Sequence, residues 1–340
     1  MRKLIVLFLA AVLLCTWAAA EQPQTVEQIV ADFMAENGLS EQNFSLSYYN
    51  TVTGEAYAFN DDKFAIAAST YKLPLNMYFY EMQRDGQITG DTVIEGTGKT
   101  LDTCHQMSIV DSNNEVSETM MYYWGGHTQY KENMRKYFTM TDEEIDPLYY
   151  QGNFYCVRMM MDALRYLYAN SGDFEELLGY MKIAAPDAYF KLGVQDYEVA
   201  HKYGEVQWFM NDTAIIYTPQ PFLLAVYTQN VCSQQVLADI ARLLTDYTVE
   251  QGNRMEAETA EEPEEIELEL SFEPVPVERE EPEPIPEEVT AEEPAVPEPE
   301  EETFAEVVPI EKSAVPGWIW AVPAVIVIAA VIGIWRKKKS

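Results

Sequence analysis

Basic residues are scarce in this chain. Its 340 residues hold 22 Lys and Arg against 56 Asp and Glu, a formal charge of −34. A surface of that sign repels a phosphate backbone, so no nucleic acid is expected as a partner. Histidine is rarer, with only His105, His127 and His201, widely separated. The four cysteines, Cys15, Cys104, Cys156 and Cys232, lack the spacing of a zinc site or a disulfide scaffold. No metal site is therefore expected. Nor does a glycine-rich phosphate loop open any helix, which argues against nucleotide and dinucleotide binding. The expected cofactor set is none.

Lysine and arginine are absent from two long apolar stretches, and both carry information. Residues 1–20 read Arg2-Lys3, an apolar run from Leu4 to Leu14, then Ala18-Ala19-Ala20, the pattern of a cleaved signal peptide. Residues 317–335 form an uncharged run followed by the basic tail 336–340. At about 1.5 Å per residue that run just crosses a hydrocarbon core of about 30 Å. The tail should stay cytoplasmic, and Trp318, Trp320 and Trp335 stand where interfacial anchors do. Without a Leu-Pro-x-Thr-Gly motif, simple membrane anchoring is preferred to sortase attachment. Between Glu256 and Lys312 lie 23 acidic residues against Arg279 and Lys312, interleaved with proline. Repulsion and proline prevent a packed core, so residues 253–313 are expected to be a disordered stalk. The expectation is a single-pass protein of the cell membrane with its one folded domain, residues 21–252, outside the cell.

Within that domain, Thr25 to Asn37 has the 3.6-residue period of an amphipathic helix closed by Gly38. Phe44 to Tyr49 and Glu55 to Asn60 alternate as a hairpin around Thr53-Gly54. Thr70 to Asp85 reads as a helix, with Pro74 tolerated near its start. Ser117 to Tyr168 is helical and interrupted, clearest from Phe154 to Tyr168. Val199 to Trp208, Asp212 to Thr218 and Pro221 to Tyr227 read as three strands, and Val236 to Gln251 as a closing helix. Strands at both ends with helices between them predict an α/β (α+β) sandwich: an antiparallel sheet flanked by helices, with a reduced all-α subdomain.

Three short elements carry the chemistry. Ser69-Thr70-Tyr71-Lys72 places a hydroxyl at a helix start and an amine three residues on, on the same face. If Lys72 is partly buried beside a second cation, its neutral amine can take the proton of Ser69. Ser112-Asn113-Asn114 precedes a helix; two short polar side chains there can relay a proton and bind a substrate amide. In His201-Lys202-Tyr203-Gly204, strand alternation turns Lys202 and Gly204 to one face. The N–H of Glu205 with that of Ser69 would make an oxyanion hole, about 3 kcal/mol per donor. Each element has a plainer reading: a helix cap and a solvated lysine, a turn, and an edge strand.

In this order the three elements resemble the active-site serine enzymes of the class A β-lactamase and penicillin-binding-protein superfamily. Phe64 to Leu75 is similar to that family's nucleophile strand and helix, and Asn211 to Tyr217 to its following strand. The resemblance implies that Ser69 is the nucleophile, Lys72 its base and Ser112 a proton relay. Asn114 would contact substrate, and Lys202 would anchor a substrate carboxylate, with Tyr203, Gly204 and Glu205 lining the substrate side. It implies a hydrolase acylated by a β-lactam or by a D-Ala-D-Ala-like peptide of peptidoglycan. Departures accompany the likeness. Tyr203 replaces the family's Thr or Ser, the second motif reads Ser-Asn-Asn, and no Glu-x-x-x-Asn loop is present; Glu143, Glu144 and Asp146 do not fit its spacing. The gaps between motifs are short, implying a trimmed helical subdomain. The competing expectation is a catalytically impaired relative that binds wall peptides or a protein partner.

Overall fold

In the computed structural model residues 24–260 are described. The expected signal peptide, the anchor and the stalk beyond residue 260 lie outside them. Among the described residues no helix is long and apolar enough to cross a membrane.

Helix α1 (Val26–Asn37) begins at a reciprocal cap, in which Thr25 accepts from the Gln28 N–H and Gln28 from the Thr25 N–H. It ends at Gly38 with φ +63°, a left-handed turn that glycine adopts without strain. The chain then forms the hairpin β1 (Phe44–Asn50) and β2 (Ala56–Phe59). Near its other end it forms a meander of β7 (Val199–Val206), β8 (Phe209–Ile216) and β9 (Phe222–Gln229). β9 pairs with β1, so the sheet runs β2-β1-β9-β8-β7, antiparallel throughout. Its central strand, Phe-Leu-Leu-Ala-Val-Tyr-Thr-Gln, is apolar on both faces because both are covered.

Two cores follow from that alternation. One face presents Val199, Met210, Ala214, Ile216, Leu224 and Val226 to α1, to the short helix α9 (Phe190–Gly193) and to α10 (Gln234–Ala260). The opposite face presents Ala200, Ile215, Leu223, Ala225 and Tyr227 to the helical subdomain. That subdomain contains α2 (Lys72–Arg84), α3 (Leu101–Ile109), α4 (Asn114–Tyr123), α5 (His127–Met134), α6 (Leu148–Gln151), α7 (Val157–Ala169) and α8 (Glu175–Ile183). Two-stranded ribbons complete it: β3 (Ala65–Ile66) with β6 (Phe154–Tyr155), and β4 (Val93–Ile94) with β5 (Lys99–Thr100). The α/β sandwich with an antiparallel sheet is thus the observed fold. β7 is the outer strand, and its free edge faces the start of α2.

Local corrections have physical causes. α2 begins at Lys72 rather than Thr70, because Ala68–Tyr71 forms a 3-10 turn first. Phe154 and Tyr155, read as the start of a helix, instead pair with β3. β8 starts three residues before the expected Asp212. Its early polar residue, Asn211, is fully buried and bonded to other strands. α10 runs to Ala260, so residues 253–260 continue the helix rather than beginning the stalk.

Candidate active site

The turn that carries Ser69 is fixed from four sides. Ala68 sits at φ +50°, a left-handed conformation that costs a non-glycine residue energy and needs support. Asn153, just before β6, supplies some: the Ala67 N–H donates to its carbonyl at 2.9 Å, and its side-chain amide donates to the Ala68 carbonyl at 2.7 Å. Asn211 on β8 donates to the Ile66 carbonyl at 2.9 Å. Thr70 donates to Ala67, and its hydroxyl lies 2.6 Å from the Tyr227 hydroxyl on β9. From the fourth side comes β7. A Cβ on Gly204 would lie 2.5 Å from the Ser69 nitrogen and 2.9 Å from the Ala67 carbonyl oxygen. Only glycine lets the strand come so close. The close approach at Gly204 is therefore made by the backbone of the Ser69 turn.

All three elements meet here. Lys72 Nζ donates to Ser69 Oγ at 3.0 Å, to the Ser112 carbonyl at 2.6 Å and to Asn114 Oδ1 at 2.7 Å, with Ser112 Oγ at 3.3 Å. Lys202 Nζ donates to Ser112 Oγ at 3.0 Å and to the Tyr203 carbonyl at 2.7 Å. Ser112 reaches both amines because its φ of +51° turns the chain inward. Asn113 then caps α4 by accepting from the Val116 N–H. The plain turn-and-cap reading of the second element is true, and it is also what aims Ser112 and Asn114 at Lys72. Ser69 is half-buried and Asn114 exposed, while Lys72 and Lys202 are fully buried.

Burial sets the electrostatics. Loss of water pushes the Lys72 ammonium down to about 8, against an opposing pull from the Glu118 carboxylate. Lys202 is pushed well below the usual lysine range by burial first and by the Lys72 charge second, with Asp212 opposing. The Tyr217 N–H bonds the Glu198 carbonyl. By antiparallel alternation, the even-numbered residues of β7 then turn their backbone groups toward β8 and the odd-numbered ones outward. Lys202 bonding to the Tyr203 carbonyl agrees. The Glu205 N–H accordingly points out of the free edge, one residue beyond the contact with Ser69.

A profile of the Beta-lactamase enzyme family matches residues 25–248, well over half of the chain. The chain belongs to that family. Solved structures of similar fold include an ancestral (GNCA) class A β-lactamase, 18% identical over 65% of this chain and 99% of that one, at a TM-score of 0.56. A reconstruction of the last common ancestor of Gram-negative bacteria (GNCA4) class A β-lactamase is 20% identical over 66% and 98%, also at 0.56. A β-lactamase from Xanthomonas campestris pv. campestris is 16% identical over 66% and 97%, again at 0.56. Comparison with curated proteins found no match. At these identities the likeness concerns the fold.

In this β-lactamase-family chain, two further residues of the Ser69 corner carry no signal in the motifs. Asn153 is the polar side chain that the segment before β6 delivers to the Ser69 turn, whereas Glu144 and Asp146 bond locally to the Thr141 and Leu148 N–H groups. Glu118 lies one helical turn beyond Asn114, a spacing that places it on the same face of α4. It borders a cavity of about 190 Å³ with Tyr71, His127, Lys131 and Asn153. Behind β7, His201 has Asp212 Oδ2 at 2.8 Å from Nδ1 and the Ala184 carbonyl at 3.0 Å from Nε2. The His201–Asp212 pair ties β7 to β8 beside Lys202.

Proposed function

We propose that this β-lactamase-family protein is an active-site-serine hydrolase that forms an acyl-enzyme on Ser69. The observation that carries the reading is the 3.0 Å contact between Lys72 Nζ and Ser69 Oγ, in a site where the second and third elements bond the same Ser112. In the reaction, Ser69 Oγ attacks the acyl carbon and its proton passes to the neutral Lys72 amine. The Ser69 and Glu205 N–H groups receive the oxyanion. Ser112, between the two lysines, hands a proton to the leaving nitrogen as the C–N bond breaks. Asn114 binds the substrate amide, and water later hydrolyses the ester. The substrate class is a cell-wall peptide or related amide. β-Lactam acylation is slow, and its turnover slower still, because no Glu-x-x-x-Asn loop supplies a deacylating base. In this reading the domain lies outside the cell, tethered to the membrane; what supports it is the basic start with its apolar run and the uncharged run 317–335 before a basic tail.

Incubation of the purified protein with a β-lactam or a fluorophosphonate, followed by intact mass spectrometry, tests the chemistry. A single adduct on Ser69 that is lost in Ser69→Ala is expected, with a long-lived β-lactam species. Absence of an adduct from either reagent would leave a binding module instead. Proteolysis of intact cells, removing the domain and sparing the basic tail, checks the topology.

A further inference from the structure

Lys202 is the group on which a substrate carboxylate would be expected to seat, yet its ammonium is enclosed. It is fully buried. Its donors are directed at Ser112 Oγ and the Tyr203 carbonyl, and the Tyr203 ring lies over it with the centroid 3.9 Å away. Nor is the ring free to leave. It stacks on Tyr189 at 4.6 Å with the planes 15° apart. The Tyr189 hydroxyl in turn donates to Glu205 Oε2 at 3.0 Å, and Tyr189 is held at φ +55°, a strained conformation for a bulky residue. Glu205 itself is exposed.

We propose that the stack of Tyr203 on Tyr189 is a roof that withholds Lys202 from substrate carboxylates. The site then favours acyl donors without a carboxylate beside the scissile bond over those that carry one. Tyr203 is a specificity-determining residue in this account, and the account rests on the reading that Ser69 is acylated. A carboxylate must displace the ring and its contact with the ammonium before it can bind. A neutral donor displaces nothing and loses nothing. Replacing the phenol by a short hydroxyl should restore a charge-assisted hydrogen bond to the carboxylate, worth on the order of tenfold to a hundredfold in rate.

The test uses the full-length protein and three reagents: benzylpenicillin, its methyl ester, and a fluorophosphonate. Rates of Ser69 modification are followed by intact mass spectrometry. The unsubstituted protein should react with the acid no faster than with the ester. Tyr203→Thr should raise the acid-to-ester ratio by about tenfold or more, and Tyr189→Leu, which leaves the phenol but removes its support, should raise it in the same direction by less. A protein that already prefers the acid strongly, or a ratio that neither variant moves, overturns the roof while leaving the acyl-enzyme standing. So does fluorophosphonate labelling with neither penicillin reacting in any of the three proteins. No modification of Ser69 by any reagent overturns the acyl-enzyme reading and this inference with it.

Discussion

The two amines that meet at Ser112 sit in unlike surroundings. Lys72 is ringed by oxygens, from Ser69, Asn114 and twice from Ser112, in a corner where Ser69 is half-open and Asn114 exposed. Lys202 shares one of those oxygens but lies under an aromatic ring on the sheet edge. The first corner is open to solvent through Ser69 and Asn114; the second is closed. The two surroundings can differ because different elements supply them: the turns before α2 and α4 in one case, β7 in the other.

Deleting each amine breaks or sharpens that contrast most directly. Lys72→Ala should slow Ser69 labelling by a fluorophosphonate about 10²- to 10⁴-fold, the range for loss of a positioned proton acceptor. Lys202→Ala should cost at least tenfold less than that, since it touches Ser69 only through Ser112. Adduct formation followed by mass spectrometry gives both numbers. The reverse order would mean that the buried amine is the base and the open corner its support.

A smaller effect is expected where the two halves touch. Gly204→Ala would drive a methyl group against backbone atoms of Ala67 and Ser69, which cannot rotate away. β7 must then retreat from the Ser69 turn, at about 1–3 kcal/mol of stability for an overpacked contact, with slower labelling of Ser69. Gly179→Ala, in α8 with nothing within 4 Å of the new Cβ, is the control. It should raise stability by about 0.5–1 kcal/mol through helix propensity and leave labelling alone. Thermal melts with parallel labelling separate the cases; equal losses in both variants would mean that Gly204 has no particular tie to the site.

Much of this arrangement was legible in the residue order. Strand alternation already turned Lys202 and Gly204 to one face, and the three-residue spacing of Ser69 and Lys72 already put them together. The sheet, with its hairpin and meander, followed from period-two patterning. What stayed hidden depended on partners distant in sequence. The 3-10 turn that delays α2 is held by Tyr227 and Asn153, which no local pattern links to Ser69. The true start of β8 depends on bonds that no local pattern shows: buried Asn211 donates to the Ile66 carbonyl and accepts from the Thr228 N–H. The aromatic roof needs Tyr189, fourteen residues upstream of Tyr203. Glu118 was recoverable in principle, since helical spacing from Asn114 places it on the site side of α4.

Glu118 offers the finest test of the open corner. In the free protein, labelling needs Lys72 as the neutral amine, which burial brings within reach by lowering its proton affinity to about 8. Below that pH the amine holds its proton and cannot accept another, so the rate should climb as pH rises and level off above the midpoint. The carboxylate of Glu118 stabilises the ammonium and works against burial. Glu118→Gln removes that charge, so the amine gives up its proton more readily and the midpoint should move to lower pH. A pH–rate profile of Ser69 labelling in both proteins reads the displacement. A midpoint that moves upward, or a profile flat across this range, would show that the titration of Lys72 does not govern the nucleophile.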